Sequence, residues 1–84
     1  MYEVILQKPA ERFLKKLDKE NQKRIVAKLK ELEKNPKSGV PLVANLAGLW
    51  KLRIGDYRAI YQIKNEELIV LVLGIGHRKN IYAN

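Results

Sequence analysis

The chain contains no cysteine and only one histidine, His77, among its 84 residues. Without cysteine it can form neither a disulfide framework nor a thiolate zinc site. A single histidine cannot build a histidine-based metal site. These absences favour a cytoplasmic protein that uses neither a metal nor a cofactor.

Long hydrophobic runs are also missing. The longest apolar run, residues 68–75, is far shorter than the roughly 20 residues that a membrane helix needs. The apolar part of the N-terminus is too short for a signal peptide. We therefore expect no membrane partner and no targeting segment.

Several catalytic arrangements are absent as well. Serine occurs once, at Ser38, without the histidine and aspartate context of a catalytic triad. The sequence has no nucleotide-binding loop of the glycine-lysine-serine/threonine type and no pair of carboxylates suited to acid–base catalysis. What remains for chemistry is a set of cations, one imidazole and several phenols.

Positive charge is what the chain has in excess, with 17 Lys and Arg against nine Asp and Glu and a formal net charge of +8. Such a domain attracts polyanions, and nucleic acid is the commonest polyanion in a cytoplasm. An acidic protein partner would satisfy the same field. A merely solvated basic surface is the third explanation that composition leaves open.

The hydrophobic pattern predicts a single α+β domain over residues 1–84. Residues 2–6 have strand composition, and two amphipathic helices then form a hairpin that ends at Asn35 and Pro36. An irregular connection over residues 37–48 leads to a three-strand antiparallel meander. The helices should pack on one face of the sheet through two apolar stripes: Ala10, Phe13, Leu14 and Leu17 in the first, and Ile25, Leu29 and Leu32 in the second.

The first two strands of the meander bring cations together. Gly55 and Asp56 suit a two-residue hairpin turn of type II′, which pairs Arg53 with Arg58. Because side chains alternate along a strand, Lys51, Arg53 and Arg58 should project from the sheet face that the helices leave free. Like charges directly opposite each other destabilise a sheet, so folding alone does not explain this arrangement. A bound phosphate does, although solvated cations that protect a sheet edge are the alternative.

More polar residues follow the last strand. Arg78, Lys79 and Tyr82 come soon after it, and Tyr82 lies four residues beyond Arg78. His77 has two equally open roles, as a general acid or base near neutral pH or as a structural donor at the strand end.

This set of residues suits RNA cleavage without a metal. The ribose 2′-hydroxyl attacks the adjacent phosphate, so the substrate supplies the nucleophile. The protein must orient the nucleotide, neutralise the pentavalent phosphorane and move protons. Arginine and lysine suit the charge, and tyrosine offers a face on which a base can stack. The proton carrier stays open among Lys51, His77 and Tyr82.

The chain resembles the RelE/ParE toxin superfamily. The resemblance lies in LWKLR at residues 49–53, GDYRAIY at 55–61, GHRK at 76–79 and Tyr82, and in the order of strands and helices. It implies the toxin of a type II toxin–antitoxin pair. RelE-type members cut messenger RNA in the ribosomal A site and leave a 2′,3′-cyclic phosphate. A RelB-like antitoxin neutralises the toxin, and operator DNA is bound only through the toxin–antitoxin complex.

The resemblance also implies roles for individual residues. Lys51 and Arg53 correspond to the basic pair on the strand after the loop, and Arg58 to the arginine associated with phosphate stabilisation. Arg78 matches the arginine linked to leaving-group protonation or phosphate contact, and Tyr82 matches the tyrosine that stacks on the substrate base. The spacing from Arg78 to Tyr82 is shorter than in the best-known bacterial member, which has lysine in place of His77. With Lys51, Arg53 and Arg58, Lys79 completes the predicted RNA-binding set.

Two other functions stay open. ParE-like relatives share the fold and inhibit DNA gyrase without cleaving RNA. A non-catalytic basic module that binds RNA or an acidic protein would also fit the charge. Retention of Lys51, Arg53, Arg58, Arg78 and a terminal tyrosine favours the nuclease over the gyrase inhibitor.

Overall fold

The helices and strands follow one another in the predicted order in the computed structural model of the chain, which describes residues 1–77. The elements are β1 (Glu3–Leu6), α1 (Lys8–Lys15), α2 (Lys19–Lys30), β2 (Val40–Pro41), β3 (Trp50–Ile54), β4 (Tyr57–Lys64) and β5 (Ile69–His77). Short 3₁₀ turns lie at Glu31–Glu33, Pro36–Ser38 and Ala44–Leu46.

The strands form one sheet in the order β1-β5-β4-β3-β2. β1 runs parallel to β5, and every other neighbouring pair is antiparallel. The predicted α+β arrangement, with a first strand, two helices and a three-strand antiparallel meander, is confirmed. The structure adds β2, which the sequence did not reveal because two residues that include a proline show no strand periodicity.

The helices pack on one face of the sheet, and the core lies between the two layers. From the helical side, Ala10, Ile25, Leu29 and Leu32 are at most 3% exposed, which confirms most of the two predicted stripes. The sheet contributes Leu52, Ile54, Ala59, Tyr61, Val70, Val72 and Ile75 to the same core. Burying a side chain of this size contributes roughly 1.5–3 kcal/mol, so this layer fixes which sheet face stays free.

The helix starts differ in detail from simple sequence rules. α1 begins at Lys8 with Gln7 at its N-cap, so Pro9 is its second residue rather than its first. Asp18 occupies the N-cap of α2, but its carboxylate accepts from the Asn21 side chain at 2.7 Å and makes no capping bond to the backbone. Neither α1 nor α2, the two α-helices of residues 1–77, is long and apolar enough to cross a membrane.

β5 is an interior strand between β1 and β4, as its apolar run predicts, but the expectation that both of its faces are covered is wrong, because only the side toward the helices is buried. Val70 and Val72 are fully buried against the helices, whereas Leu71 and Leu73 on the other face are only half-buried. The pairing with β4 shifts between Ile60 and Tyr61. Leu73 is the extra residue of this β-bulge, and it changes which residues face the helices beyond it.

Candidate functional site

The hairpin between β3 and β4 has the predicted geometry. Gly55 has a φ of +60°, and Asp56 is not among the residues with positive φ, as a type II′ turn requires. The register pairs Arg53 with Arg58 and Lys51 with Ile60. A local turn therefore determines which side chains of the two strands meet.

Lys51, Arg53 and Arg58 form what we call the cation face. Their neighbours along the strands, Leu52 and Ala59, are 5% and 0% exposed and point to the helices. Because side chains alternate, the three cations project from the opposite side of the sheet. The predicted grouping of these three residues on the free face is confirmed.

The cation face opens into a cleft of about 350 Å³ at the β3 edge of the sheet. This edge cleft is lined by Lys28, Ser38, Gly39, Val40, Lys51, Leu52, Arg53 and Arg58. The sequence did not identify Lys28, which follows the periodicity of a solvated helix face. Its place in the cleft depends on how α2 crosses the sheet edge, which helical spacing alone does not reveal.

Tyr61 fixes the wall of the edge cleft. Its buried phenol donates to the Pro36 carbonyl at 2.7 Å and accepts from the Gly39 N–H at 3.1 Å. Burial raises the pKa of Tyr61, so the phenol stays neutral and keeps its donor proton at physiological pH. Tyr61 thereby ties the segment that carries Ser38 to the sheet.

The guanidinium of Arg58 is held over the hairpin turn. Its Nη1 atom donates to the carbonyls of Gly55 at 3.2 Å and Tyr57 at 3.0 Å. A guanidinium has five N–H donors, so others stay available to a ligand. Gly76 lies directly opposite Arg58 on β5, and Gly74 lies opposite Ile60. The sheet surface beside the arginine therefore carries no side chain from these two positions.

His77 lies on the other side of the sheet. It pairs with Tyr57, and the two rings meet edge-to-face with their centroids 6.0 Å apart. Tyr57 also contacts Phe13 of α1, at 5.9 Å between centroids. Opposed side chains share a face, so His77 belongs to the helix side at the sheet end. The roles predicted for Arg78, Lys79 and Tyr82 lie outside the described residues.

The described part of the chain, residues 1–77, has no group of three His, Asp or Glu side chains that could hold a metal ion. Metal-free and cofactor-free chemistry stays a prediction. If no metal takes part, the charge of an anionic ligand must be neutralised by side chains. The edge cleft is lined by four cationic side chains and one serine hydroxyl that could do so: Lys28, Lys51, Arg53, Arg58 and Ser38.

The Arg53–Arg58 pair should reduce the stability of the free protein. We expect Arg53→Gln to raise the free energy of unfolding by about 0.5 kcal/mol at low salt, because it removes a like-charge pair between opposed side chains. The gain should disappear near ~1 M salt, where the Debye length is only ~3 Å. Urea denaturation at both salt concentrations measures this effect. Arg12 lies on the exposed side of α1 and serves as the control. An equal increase in the free energy of unfolding for Arg12→Gln would show that the effect comes from the lower net charge and not from the Arg53–Arg58 pair.

The fold and the comparisons with known proteins together place this chain in the RelE/ParE toxin superfamily. The profile of the family described as the ParE toxin of type II toxin–antitoxin systems matches residues 4–82. The chain belongs to this family and is a type II toxin.

Curated relatives are similar over different lengths. Toxin RelG of Mycobacterium tuberculosis is 40% identical over 53 residues, which are 62% of this chain and 61% of RelG. A RelE-like toxin protein of Escherichia coli is 31% identical over 80 residues, which are 93% of this chain and 84% of that protein.

Solved structures share the fold. The toxin–antitoxin complex RelBE2 from Mycobacterium tuberculosis matches with a TM-score of 0.84 and 34% identity, over 92% of this chain and 98% of that one. The intact RelBE complex of Escherichia coli gives 0.77 at 24% identity, over 92% and 96% of the two chains. At that identity the second likeness shows the fold alone.

Proposed function

We propose that this toxin is an endoribonuclease that cuts messenger RNA in the ribosomal A site without a metal. The observation that carries the proposal is the grouping of Lys51, Arg53 and Arg58 on the uncovered face of the sheet, beside the edge cleft. Repulsion between these like charges destabilises the free protein, and a bound phosphate would offset this repulsion through charge-assisted hydrogen bonds. RelE-like and RelG toxins among the relatives support the same class of activity.

In the proposed reaction, the ribose 2′-hydroxyl attacks the neighbouring phosphate and forms a 2′,3′-cyclic phosphate. The P–O bond to the 5′-oxygen of the next nucleotide breaks, and that oxygen takes up a proton. Arg53 and Arg58 neutralise the phosphorane. Among the three proposed proton carriers, only Lys51 lies on the described cation face, since His77 projects from the opposite side.

The C-terminal segment completes the proposed site. Arg78 contacts the phosphate or the leaving group, Tyr82 stacks on the substrate base, and Lys79 adds a contact to the RNA backbone. These roles rest on the resemblance of this segment to the family, and nucleobase stacking on tyrosine is the ordinary way to hold a splayed nucleotide.

We propose a RelB-like antitoxin as the protein partner, with operator DNA bound only through the complex. The described relatives RelBE2 and RelBE are toxin–antitoxin complexes. This chain also has an apolar groove of about 190 Å³ between β1 and the helices, lined by Val4, Leu6, Leu14, Val26 and Leu29, with Lys30 and Glu33. Val26 is 39% exposed there, and exposed apolar grooves commonly mark protein interfaces.

A ParE-like gyrase inhibitor is the second candidate, and the name of the matching family favours it. The cation face favours the nuclease, because inhibition of gyrase does not require a cluster of side chains that bind phosphate. The third candidate is a basic binding module without catalysis. It would require the net positive charge of the chain but not the grouping of Lys51, Arg53 and Arg58 on one face.

The test is in-vitro translation with the purified toxin, followed by primer extension on the message. We expect cuts at codons in the A site, with cyclic phosphate at the new 3′ ends, and no such cuts when an excess of the antitoxin is present. Because ribosomes need magnesium, the assay keeps the magnesium concentration constant and removes other divalent ions, and an unchanged cleavage rate would show that no further metal is needed.

Each alternative gives a different result. An intact message together with inhibited gyrase supercoiling would replace the nuclease by the ParE-like function. An intact message and normal supercoiling would leave the non-catalytic binding module.

A further inference from the structure

Strand β3 is only partly covered along its outer edge. β2 pairs with Trp50 and Lys51, so the ladder stops short of Arg53. In a two-residue hairpin the closing pair is hydrogen-bonded and the next pair, Arg53 with Arg58, is not. The backbone N–H and C=O of Arg53 therefore point away from β4. On this side of β3, Arg53 and Ser38 both line the edge cleft.

Lys28 brings an ammonium group to the same cleft from the helix layer. Its Nζ atom lies 3.5 Å from Glu31 Oε1, and the two side chains are 43% and 58% exposed. An ion pair this exposed contributes little to stability and exchanges readily with another anion. Lys28 thus supplies a cation at the border of the sheet, separated from the cation face by the edge of β3.

We propose that the edge cleft binds a second phosphodiester of the RNA, adjacent to the one that reacts on the cation face. The Lys28 ammonium, the Arg53 backbone N–H and the Ser38 hydroxyl are its donors, and the Arg53 carbonyl is free to accept from a hydroxyl of the ligand. The proposal rests on the proposed function, since it concerns the path of the same RNA. It directs the strand from the cation face across the open edge of β3 toward α2.

The experiment uses a fluorescein-labelled single-stranded RNA with 2′-O-methyl riboses. This probe has no free 2′-hydroxyl and cannot be cleaved, so binding is measured independently of catalysis. Fluorescence anisotropy titrations at several salt concentrations give the affinity and its salt dependence. We expect Lys28→Ala to weaken binding by roughly 3–10-fold and to reduce the slope of log K against log salt by about 0.7, the loss of one phosphate contact.

Lys30→Ala is the matched control, because Lys30 also lies in the last turn of α2 but lines the apolar groove rather than the edge cleft. It should weaken binding by less than about 2-fold and leave the slope unchanged. Glu31→Gln should strengthen binding by about 2-fold, because it frees the Lys28 ammonium. Circular dichroism spectra of all variants establish that they are folded.

Equal losses for Lys28→Ala and Lys30→Ala would overturn the subsite and leave only general attraction by net charge. No loss for Lys28→Ala would overturn it as well, even if the message is cut normally in translation. A Lys28-specific loss together with an intact message would keep the subsite and reject cleavage. The two proposals can therefore fail separately.

Discussion

Arg58→Ala is expected to lower the rate of message cleavage on the ribosome by about 10²–10³-fold, the usual cost of losing a preorganised charged donor at a reacting centre. Two turn carbonyls hold the guanidinium in place before RNA binds. Little reorganisation is then needed when negative charge develops on the phosphorane. Single-turnover cleavage of a defined ribosome–message complex, followed by primer extension, measures the rate.

Two further variants separate charge from geometry. Arg58→Lys keeps the charge but loses the planar fork that binds phosphate through two bonds, so its rate should lie between those of the wild type and the alanine variant. Arg12→Ala changes the same residue type on the exposed side of α1 and should cut at nearly the wild-type rate. A wild-type cleavage rate for Arg58→Ala would show that the cation face does not take part in the reaction.

The part of the site that could be predicted from the sequence depends on short-range rules. A two-residue glycine turn and strict alternation were enough to pair Arg53 with Arg58 and to place Lys51 on the same face, as the register shows. The helical stripes predicted which sheet face would be covered. All of these features are set within about ten residues of the chain, where turn type and period act directly.

His77 shows why the rest could not be predicted. Counting by alternation from Val72, which faces the helices, would put His77 on the cation face. The bulge at Leu73 inserts one residue, so Ile75 and His77 turn to the helix side instead, and Ile75 is 6% exposed. A one-residue shift in register moves every later side chain to the other face. Two glycines at positions 74 and 76 allow such a bulge without specifying its register.

The wall of the edge cleft depends on contacts that are distant in sequence. Lys28 reaches the cleft because of the way α2 packs across the sheet edge. The segment with Ser38 is held by Tyr61, which lies 25 residues beyond Pro36 in the chain. Alternation along β4 places Tyr61 on the helix side of the sheet, where it is fully buried. The same pattern does not identify the carbonyl to which its hydroxyl donates.

Gly39→Ala is expected to lower the free energy of unfolding by about 3 kcal/mol, the combined cost of overpacking and of breaking a buried hydrogen bond. An added Cβ at Gly39 would lie 2.5 Å from the Lys51 carbonyl oxygen and 2.6 Å from the Tyr61 hydroxyl. The carbonyl belongs to the β3 backbone and cannot move aside cheaply, so the segment itself must shift. For a domain of this size the melting temperature should fall by roughly 12–24 °C.

Gly74→Ala is the matched control, because a Cβ there would meet nothing within 4 Å; its melting temperature should change by only a few degrees. Tyr61→Phe removes the Gly39–Tyr61 hydrogen bond and the bond to the Pro36 carbonyl without adding an atom, and it should cost about 1–3 kcal/mol. Since both substitutions break the Gly39–Tyr61 bond, the double variant should lose less stability than the sum of the two single losses. Strict additivity would mean that Gly39 and Tyr61 act independently. A wild-type melting temperature for Gly39→Ala would show that the segment does not pack against β3 as closely as these distances require.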